Sequence, residues 1–265
     1  MGLLDGKNAL VFGVANKRSI AWGITEAFLR EGATVGLSYV GEALEKRVFP
    51  LAEENGIDFV EKCDVTSDAE IEALFGKVGD RFGKLDILIH AIAFAPGDEL
   101  GGRFRDISRD GFRLALDISA YSLIPLAKHA AELMTEGGSI MALTYYASEK
   151  VMPRYNVMAI AKSALENIVR YLAADLGPQG VRVNSLSPGP IRTLAAAGVP
   201  GFRVMLHYAE KVSPTRGLAT QEDVGNVAVF LASDWGRQVT GETIYIDGGY
   251  HVLGLTVTEE ELSEG

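Results

Sequence analysis

The sequence predicts an α/β fold in which helices cover both faces of one doubly wound, mostly parallel seven-stranded sheet. Short apolar runs alternate along the chain with longer segments of helical periodicity. Most of these runs are hydrophobic throughout, as strands buried on both faces are, rather than at every second residue. No low-complexity or Pro/Ser-rich linker interrupts the 265 residues. The alternation is typical of repeated strand-helix-strand units, so we expect a single domain spanning 1–265.

The predicted elements follow in order along the chain. Seven apolar runs are predicted strands, at 8–13, 34–38, 58–62, 85–90, 138–144, 181–187 and 243–246. Six segments between them are predicted helices, at 20–31, 42–55, 68–82, 108–135, 155–176 and 221–233. Two further segments, 93–105 and about 192–214, follow strands and do not fit the alternation. Ligands of open α/β sheets bind beyond the carboxyl ends of strands, so both are candidate pocket walls, the second as a substrate-binding flap. The alternative is that both are ordinary surface loops.

Composition excludes several classes of function. The chain carries 25 Lys and Arg against 35 Asp and Glu, a net charge of −10, and its basic residues are scattered, which argues against nucleic acid as a partner. The single Cys63 and four histidines without short ligand spacings predict neither disulfides nor a metal site. No apolar run approaches the ~20 residues of a membrane span. We expect a cytoplasmic protein.

The turn after the first strand is a candidate nucleotide loop. Gly13 permits a sharp turn, and Ser19 is placed to cap the following helix and to offer its hydroxyl and N–H to a phosphate. The usual dinucleotide fingerprint is incomplete because Ala15 stands where a second glycine belongs. An ordinary strand-to-helix turn remains the alternative. Asp64 and Val65 after the third strand, and Ile92 after the fourth, add to the nucleotide interpretation because they follow successive strand ends.

A tyrosine and a lysine form the candidate catalytic pair. Residues seven apart on a helix differ by about 20° in direction, so Tyr155 and Lys162 are predicted to share a face and to reach a ligand at the strand ends. The lysine cation is expected to lower the pKa of the nearby phenol. The alternative is that Tyr155 only packs and that Lys162 is solvated.

The motifs together resemble the short-chain dehydrogenase/reductase family. They are Tyr145, Tyr155-x6-Lys162, SPGPIRT at 187–193 and GETIYIDGG at 241–249. The loop at 13–23 and the six-residue gap between tyrosine and lysine point to the NADH-dependent enoyl-acyl-carrier-protein reductases, type I in bacteria. Ketoreductases and alcohol dehydrogenases of the same family carry a serine and a Tyr-x3-Lys instead. The resemblance covers about residues 3–250 and implies a single Rossmann-type domain.

The resemblance implies an oxidoreductase of fatty-acid synthesis that reduces the carbon-carbon double bond of trans-2-enoyl thioesters. Tyr155 would donate a hydrogen bond to the thioester carbonyl, Lys162 would hold the nicotinamide ribose, and Tyr145 would border the acyl site. Ala95 falls on a substrate position. The cofactor positions, in addition to Lys162, are Gly13, Ser19, Ile20, Asp64, Val65, Ile92, Ile191, Thr193 and Leu194. Val40 replaces a glutamine that is frequent in relatives beside the adenosine ribose.

The sequence also predicts the cofactor preference, the partner and the assembly of the protein. The segment 39–44 lacks a basic residue for a 2′-phosphate and contains Glu42, which favours NADH over NADPH. The expected partner is an enoyl substrate attached to acyl carrier protein. Apolar residues cover more than one stripe of the helix at 155–176, which predicts a homotetramer, unless that helix is buried wholly inside one subunit. A nucleotide-sensing protein without catalysis is the non-enzymatic alternative.

Overall fold

The computed structural model describes residues 2–193 and 201–257, which form one seven-stranded sheet between two layers of helices. The strand order is β3-β2-β1-β4-β5-β6-β7, and every strand pairing is parallel. The strands are β1 Asn8–Phe12, β2 Thr34–Tyr39, β3 Phe59–Lys62, β4 Ile87–His90, β5 Gly138–Leu143, β6 Val181–Pro188 and β7 Thr243–Ile246. The predicted fold class is confirmed, and the strand ends differ from prediction by at most two residues.

The helices divide between the two faces of the sheet. They are α1 Ile20–Arg30, α2 Glu42–Glu54, α3 Asp68–Phe82, α4 Asp98–Gly101, α5 Arg109–Leu116, α6 Leu123–Leu133, α7 Asn156–Leu176, α8 Phe202–Val212 and α9 Gln221–Ala232. One apolar core joins the sheet to α1, α2 and α9, and the other joins it to α3, α6 and α7. Each central strand is therefore buried on both sides, which is why the strands are hydrophobic throughout.

The prediction of one helix over 108–135 is wrong. The segment consists of α5, a π-helical turn at Asp117–Tyr121 and α6. Within the turn, the Ser119 hydroxyl accepts from the Phe94 N–H at 2.9 Å and lies 3.1 Å from the Phe94 carbonyl, in the loop after β4. The π-helical turn thus contains a side chain that contacts a loop 25 residues earlier in the chain. Such turns occur frequently at functional sites.

The strand order places a cleft at the carboxyl ends of β1 and β4. β1 pairs with β2 on one side and with β4 on the other, so the chain leaves these strands in opposite directions across the sheet. Loops that diverge in this way leave a crevice in which α/β proteins bind ligands. In the part of the chain that the structure describes, no helix combines the length and hydrophobicity needed to cross a bilayer.

Candidate active site

A cleft of about 520 Å³ lies at these strand ends. Its walls come from the loops after β1, β4, β5 and β6 and from the first turns of α1, α7 and α8. The structure brings ten of the predicted site residues into this cleft: Gly13, Ser19, Ile20, Ile92, Ala95, Tyr145, Tyr155, Lys162, Ile191 and Thr193.

One end of the cleft is built from backbone. Gly13 has a φ of +98°, and a Cβ atom there would lie 2.1 Å from the Ala91 carbonyl oxygen, so only glycine fits this turn. Ser19 stands at the N-cap position of α1, but its hydroxyl accepts from the Ala15 N–H and donates to the Asn16 carbonyl within the loop. The prediction that its side chain caps the helix is wrong. No other described side chain caps α1, so its N-terminal N–H groups and dipole are left at the cleft, an arrangement suited to a phosphate.

Two tyrosines pack against each other in the same cleft. Tyr155 immediately precedes α7, and its ring packs edge-to-face on that of Tyr145, with centroids 5.1 Å apart. Burial raises the pKa of Tyr145 to about 12 and raises that of Tyr155 further. The expectation that Lys162 lowers the pKa of Tyr155 is therefore wrong, because burial, together with the neighbouring Tyr145, raises that pKa. Both phenols are protonated at neutral pH and Tyr155 can act as a hydrogen-bond donor.

Lys162 lines the same cleft and is buried, not solvated. Its side chain is 4% exposed, and Nζ donates to the Leu143 carbonyl at 2.6 Å. Burial lowers the pKa of Lys162 to about 8, although the Glu166 carboxylate opposes the shift. A buried ammonium with one carbonyl partner retains further N–H donors for a ligand.

Sequence reasoning missed two buried polar residues beside Lys162. Glu166 lies one helical turn further along α7 and accepts from the Thr144 hydroxyl at 2.6 Å, and the four-residue spacing from Lys162 was the available signal. His90, at the end of β4, contacts the Ser122 hydroxyl through Nε2 at 2.8 Å. Burial and the charge of Lys162 lower the pKa of His90 to about 3, so the imidazole is neutral.

The rest of the cleft has an apolar wall. Phe202 and Met205 of α8 line it, as the prediction of an apolar flap implies. Phe94 and Leu100, from the candidate wall segment 93–105, and Met158, which sequence reasoning did not place in the site, complete the wall. Met158 falls three residues after Tyr155 at the start of α7, and that spacing was the available signal. A long aliphatic group would find hydrophobic contacts here.

Three predicted cofactor residues are not among those that line this cleft. Asp64 and Val65 follow β3, two strands away from β1, and are half-buried. The Asp64 carboxylate accepts from the N–H and the hydroxyl of Thr66, at 2.9 and 2.8 Å. Leu194 lies outside the described residues, as does the rest of 194–200 in the predicted flap.

Comparison with known proteins identifies the family. The model of the enoyl-(acyl carrier protein) reductase family matches residues 13–251. An enoyl-[acyl-carrier-protein] reductase [NADH] from Aquifex aeolicus is 49% identical over 265 residues, which cover 100% of this chain and 98% of that protein. The chain belongs to the enoyl-acyl-carrier-protein reductase family.

Solved structures agree with this reductase assignment. The Bacillus cereus enoyl-acyl carrier protein reductase, solved with NADP+ and an indole naphthyridinone, superposes with a TM-score of 0.93 at 50% identity and covers 96% of this chain and 100% of that one. The Anaplasma phagocytophilum reductase, solved in complex with NAD, gives a TM-score of 0.94 at 46% identity, with coverage of 97% and 98%. The fold is shared along nearly the whole chain.

Proposed function

We propose that this reductase transfers a hydride from NADH to the β-carbon of trans-2-enoyl thioesters carried by acyl carrier protein, the last reductive step of fatty-acid elongation. The observation that carries the proposal is one cleft that is lined by Tyr155 and Lys162, by the uncapped N-terminus of α1 and by an apolar wall. The backbone end suits a pyrophosphate, and the apolar end suits an acyl chain.

The residues of the cleft fit a dinucleotide. NADH, when bound, supplies the hydride. Gly13 and the first turn of α1 would approach the pyrophosphate, and the free N–H groups of Lys162 would hold the nicotinamide ribose. Ser19, Ile20, Ile92, Ile191, Thr193 and Leu194 would form the remaining walls around the cofactor, with Asp64 and Val65 at its adenine end.

The end of β2 favours NADH over NADPH. Val40 is 47% exposed there and offers no polar group to a ribose. Glu42 is the first residue of α2 and is exposed, so its carboxylate would repel a 2′-phosphate. The Bacillus cereus relative has been solved with NADP+ bound. We therefore express the preference as a ratio of kcat/KM values for NADH and NADPH.

Tyr155 would supply the electrostatic part of catalysis. When the β-carbon accepts a hydride, negative charge develops on the thioester oxygen, and a donor already placed at that oxygen stabilises the transition state. The raised pKa of Tyr155 keeps its hydroxyl protonated and available. Tyr145 packs against the Tyr155 ring and would fix its orientation, while Ala95 would border the substrate.

The enzyme would be a single catalytic domain over 1–265, with a flap at about 192–214 that closes over the acyl chain and a C-terminal tail from about 251. It would form a homotetramer. It would act in the cytoplasm, where NADH and acyl carrier thioesters occur together.

Parallel assays of NADH consumption test the reaction. With purified protein, crotonyl thioester should be reduced and acetoacetyl thioester should give no useful rate, because the serine and Tyr-x3-Lys of ketoreductases are absent. Substituting NADPH should lower kcat/KM. Faster consumption with the acetoacetyl compound would establish a ketoreductase instead, and no consumption with either would favour a non-catalytic nucleotide sensor.

A further inference from the structure

Glu166 is a buried carboxylate on the same helix as Lys162. It is 6% exposed and lies four residues, or one helical turn, beyond the lysine on α7. Burying a carboxylate is costly unless a donor or a cation compensates it. Here one carboxylate oxygen accepts from Thr144, and the charge raises the pKa of Lys162 against the effect of burial.

Thr144 connects this carboxylate to the wall of the cleft. It follows Leu143, whose carbonyl receives the Lys162 ammonium, and it precedes Tyr145. The Thr144 N–H donates to the Leu186 carbonyl at 2.8 Å, and its hydroxyl donates to Glu166. The Glu166 carboxylate thus connects α7 to the segment 143–145, which contains both the Leu143 carbonyl that accepts from Lys162 and the side chain of Tyr145.

The other titratable groups around Lys162 leave Glu166 as its counter-charge. His90 on β4 is neutral because the pKa of its imidazole is about 3, and Tyr145 and Tyr155 are protonated phenols. Beyond Glu166, Tyr245 of β7 donates its hydroxyl to Glu149 and is also protonated, since burial raises its pKa. Within the described residues, Glu166 is the anionic side chain whose charge acts on Lys162.

We propose that Glu166 is a positioning residue that keeps Lys162 charged and fixes the end of β5, and that NADH binding depends on both effects. This inference rests on the proposed contact between Lys162 and the cofactor. It assigns no direct contact with NADH or substrate to Glu166. Removing the charge of Glu166 and removing its hydrogen bond with Thr144 should therefore affect NADH binding in different ways.

Two substitutions separate these effects. Glu166→Gln keeps an oxygen that can accept from Thr144 but removes the charge, whereas Thr144→Val keeps the shape and the charge but removes the hydroxyl. Ser139→Ala is the matched control, because its hydroxyl also makes one buried hydrogen bond, to the Leu231 carbonyl, at the other end of β5. NADH binding is measured by fluorescence titration without substrate between pH 6 and 9.5, and thermal unfolding checks that each variant is folded.

The expected results are distinct. Wild-type binding should weaken as the pH rises through the pKa of Lys162, which is about 8. Glu166→Gln should move this loss of binding to lower pH, because the charge of Glu166 raises the pKa of Lys162. Thr144→Val should weaken binding several-fold with the midpoint unchanged, and Ser139→Ala should change neither. If Glu166→Gln folds poorly, Glu166→Asp retains a carboxylate further from the lysine and should move the midpoint by a smaller amount in the same direction.

Unchanged midpoints in the Glu166 variants would overturn the inference. Lys162→Ala distinguishes this outcome from failure of the proposed function. The proposed role of Lys162 is wrong if the wild type does not bind NADH. It is also wrong if Lys162→Ala binds NADH with the same affinity and the same pH dependence as the wild type. If Lys162→Ala removes the alkaline loss while the Glu166 variants leave it in place, only the inference about Glu166 fails.

Discussion

The Tyr155 hydroxyl is the group whose removal should affect turnover most. Tyr155→Phe deletes one hydrogen bond to the developing charge and little packing, so kcat for crotonyl thioester should fall about a hundredfold, or ~3 kcal/mol. NADH affinity should change little. Tyr171→Phe makes the same atomic change on the exposed side of α7 and should leave kcat unaffected. Steady-state kinetics check this, and wild-type turnover in both Tyr155→Phe and Tyr145→Phe would contradict the assigned chemistry.

His90 should make the folded state sensitive to acid. The pKa of this imidazole is about 3 when folded, against an ordinary value of 6.5, so its stabilising contribution is complete above 6.5 and is lost as the pH falls toward 3. Between pH 6.5 and 5 this site alone should cost about 2 kcal/mol. His90→Gln places a donor near Ser122 without a titrating ring, so its urea midpoint should fall less between pH 7.5 and 5. Equal decreases in the two proteins would show that His90 does not titrate in this way.

At the scale of elements, the strands were the most predictable part. Their length and hydrophobicity are local properties, so the ends of β1 to β7 were placed within two residues. The π-helical turn at Asp117–Tyr121 was not predictable, since Ser119 contacts Phe94, 25 residues away. The sequence placed Ser19 in the cleft, but it did not predict the hydrogen bonds of its hydroxyl. A hydroxyl at an N-cap position can bond to groups of the preceding loop as easily as to the helix, and here it bonds to Ala15 and Asn16. The burial that sets the pKa of Lys162 depends on packing from several elements and has no local signal.

The turn between β1 and α1 should tolerate no side chain at Gly13. Gly13→Ala combines a φ of +98° with a collision against the Ala91 carbonyl, so the turn must shift and NADH affinity should fall at least ~10-fold. Gly56→Ala is the matched control, because Gly56 also has a positive φ, of +71°, but open space around its Cβ position. It should lose about 1 kcal/mol of stability and keep normal NADH binding. Isothermal titration with NADH compares the two, and equal affinities would contradict a phosphate site at this turn.

The apolar wall with α8 should make affinity depend on acyl-chain length. Each added methylene that is buried contributes about 0.8 kcal/mol, so KM should fall roughly fourfold per carbon beyond crotonyl until the cleft is filled. Phe202→Ala removes part of the wall and should flatten this dependence with little effect on the four-carbon substrate. Val204→Ala, on α8 but 74% exposed, should leave it unchanged. A KM independent of chain length in the wild type would place the acyl group elsewhere.

At the scale of the whole molecule, α7 has more apolar surface than its own subunit covers. One side of the helix is buried in the core, whereas Ile160, Ala164, Ile168 and Leu172 are only half-buried and Tyr171 is 74% exposed. Ile124 of α6, in the same layer, is 40% exposed. The alternative that α7 is wholly enclosed in one subunit is therefore excluded for its outer side. Partly exposed apolar side chains in one helical layer are the kind of surface that self-association buries.

We predict a homotetramer that buries this surface, so charged substitutions on it should disrupt the assembly. Light scattering at micromolar concentration should give four times the chain mass of 28.4 kDa. The double variant Ile124→Glu with Tyr171→Glu places two carboxylates on the α6 and α7 side, where each would be desolvated on association, so the mass should fall to that of a dimer or monomer. Phe49→Glu is the matched control, because Phe49 is 44% exposed on α2, in the opposite helical layer. It should leave the mass unchanged. A wild-type mass of one chain would refute the assembly, and a double variant that stays tetrameric would move the interface away from α6 and α7.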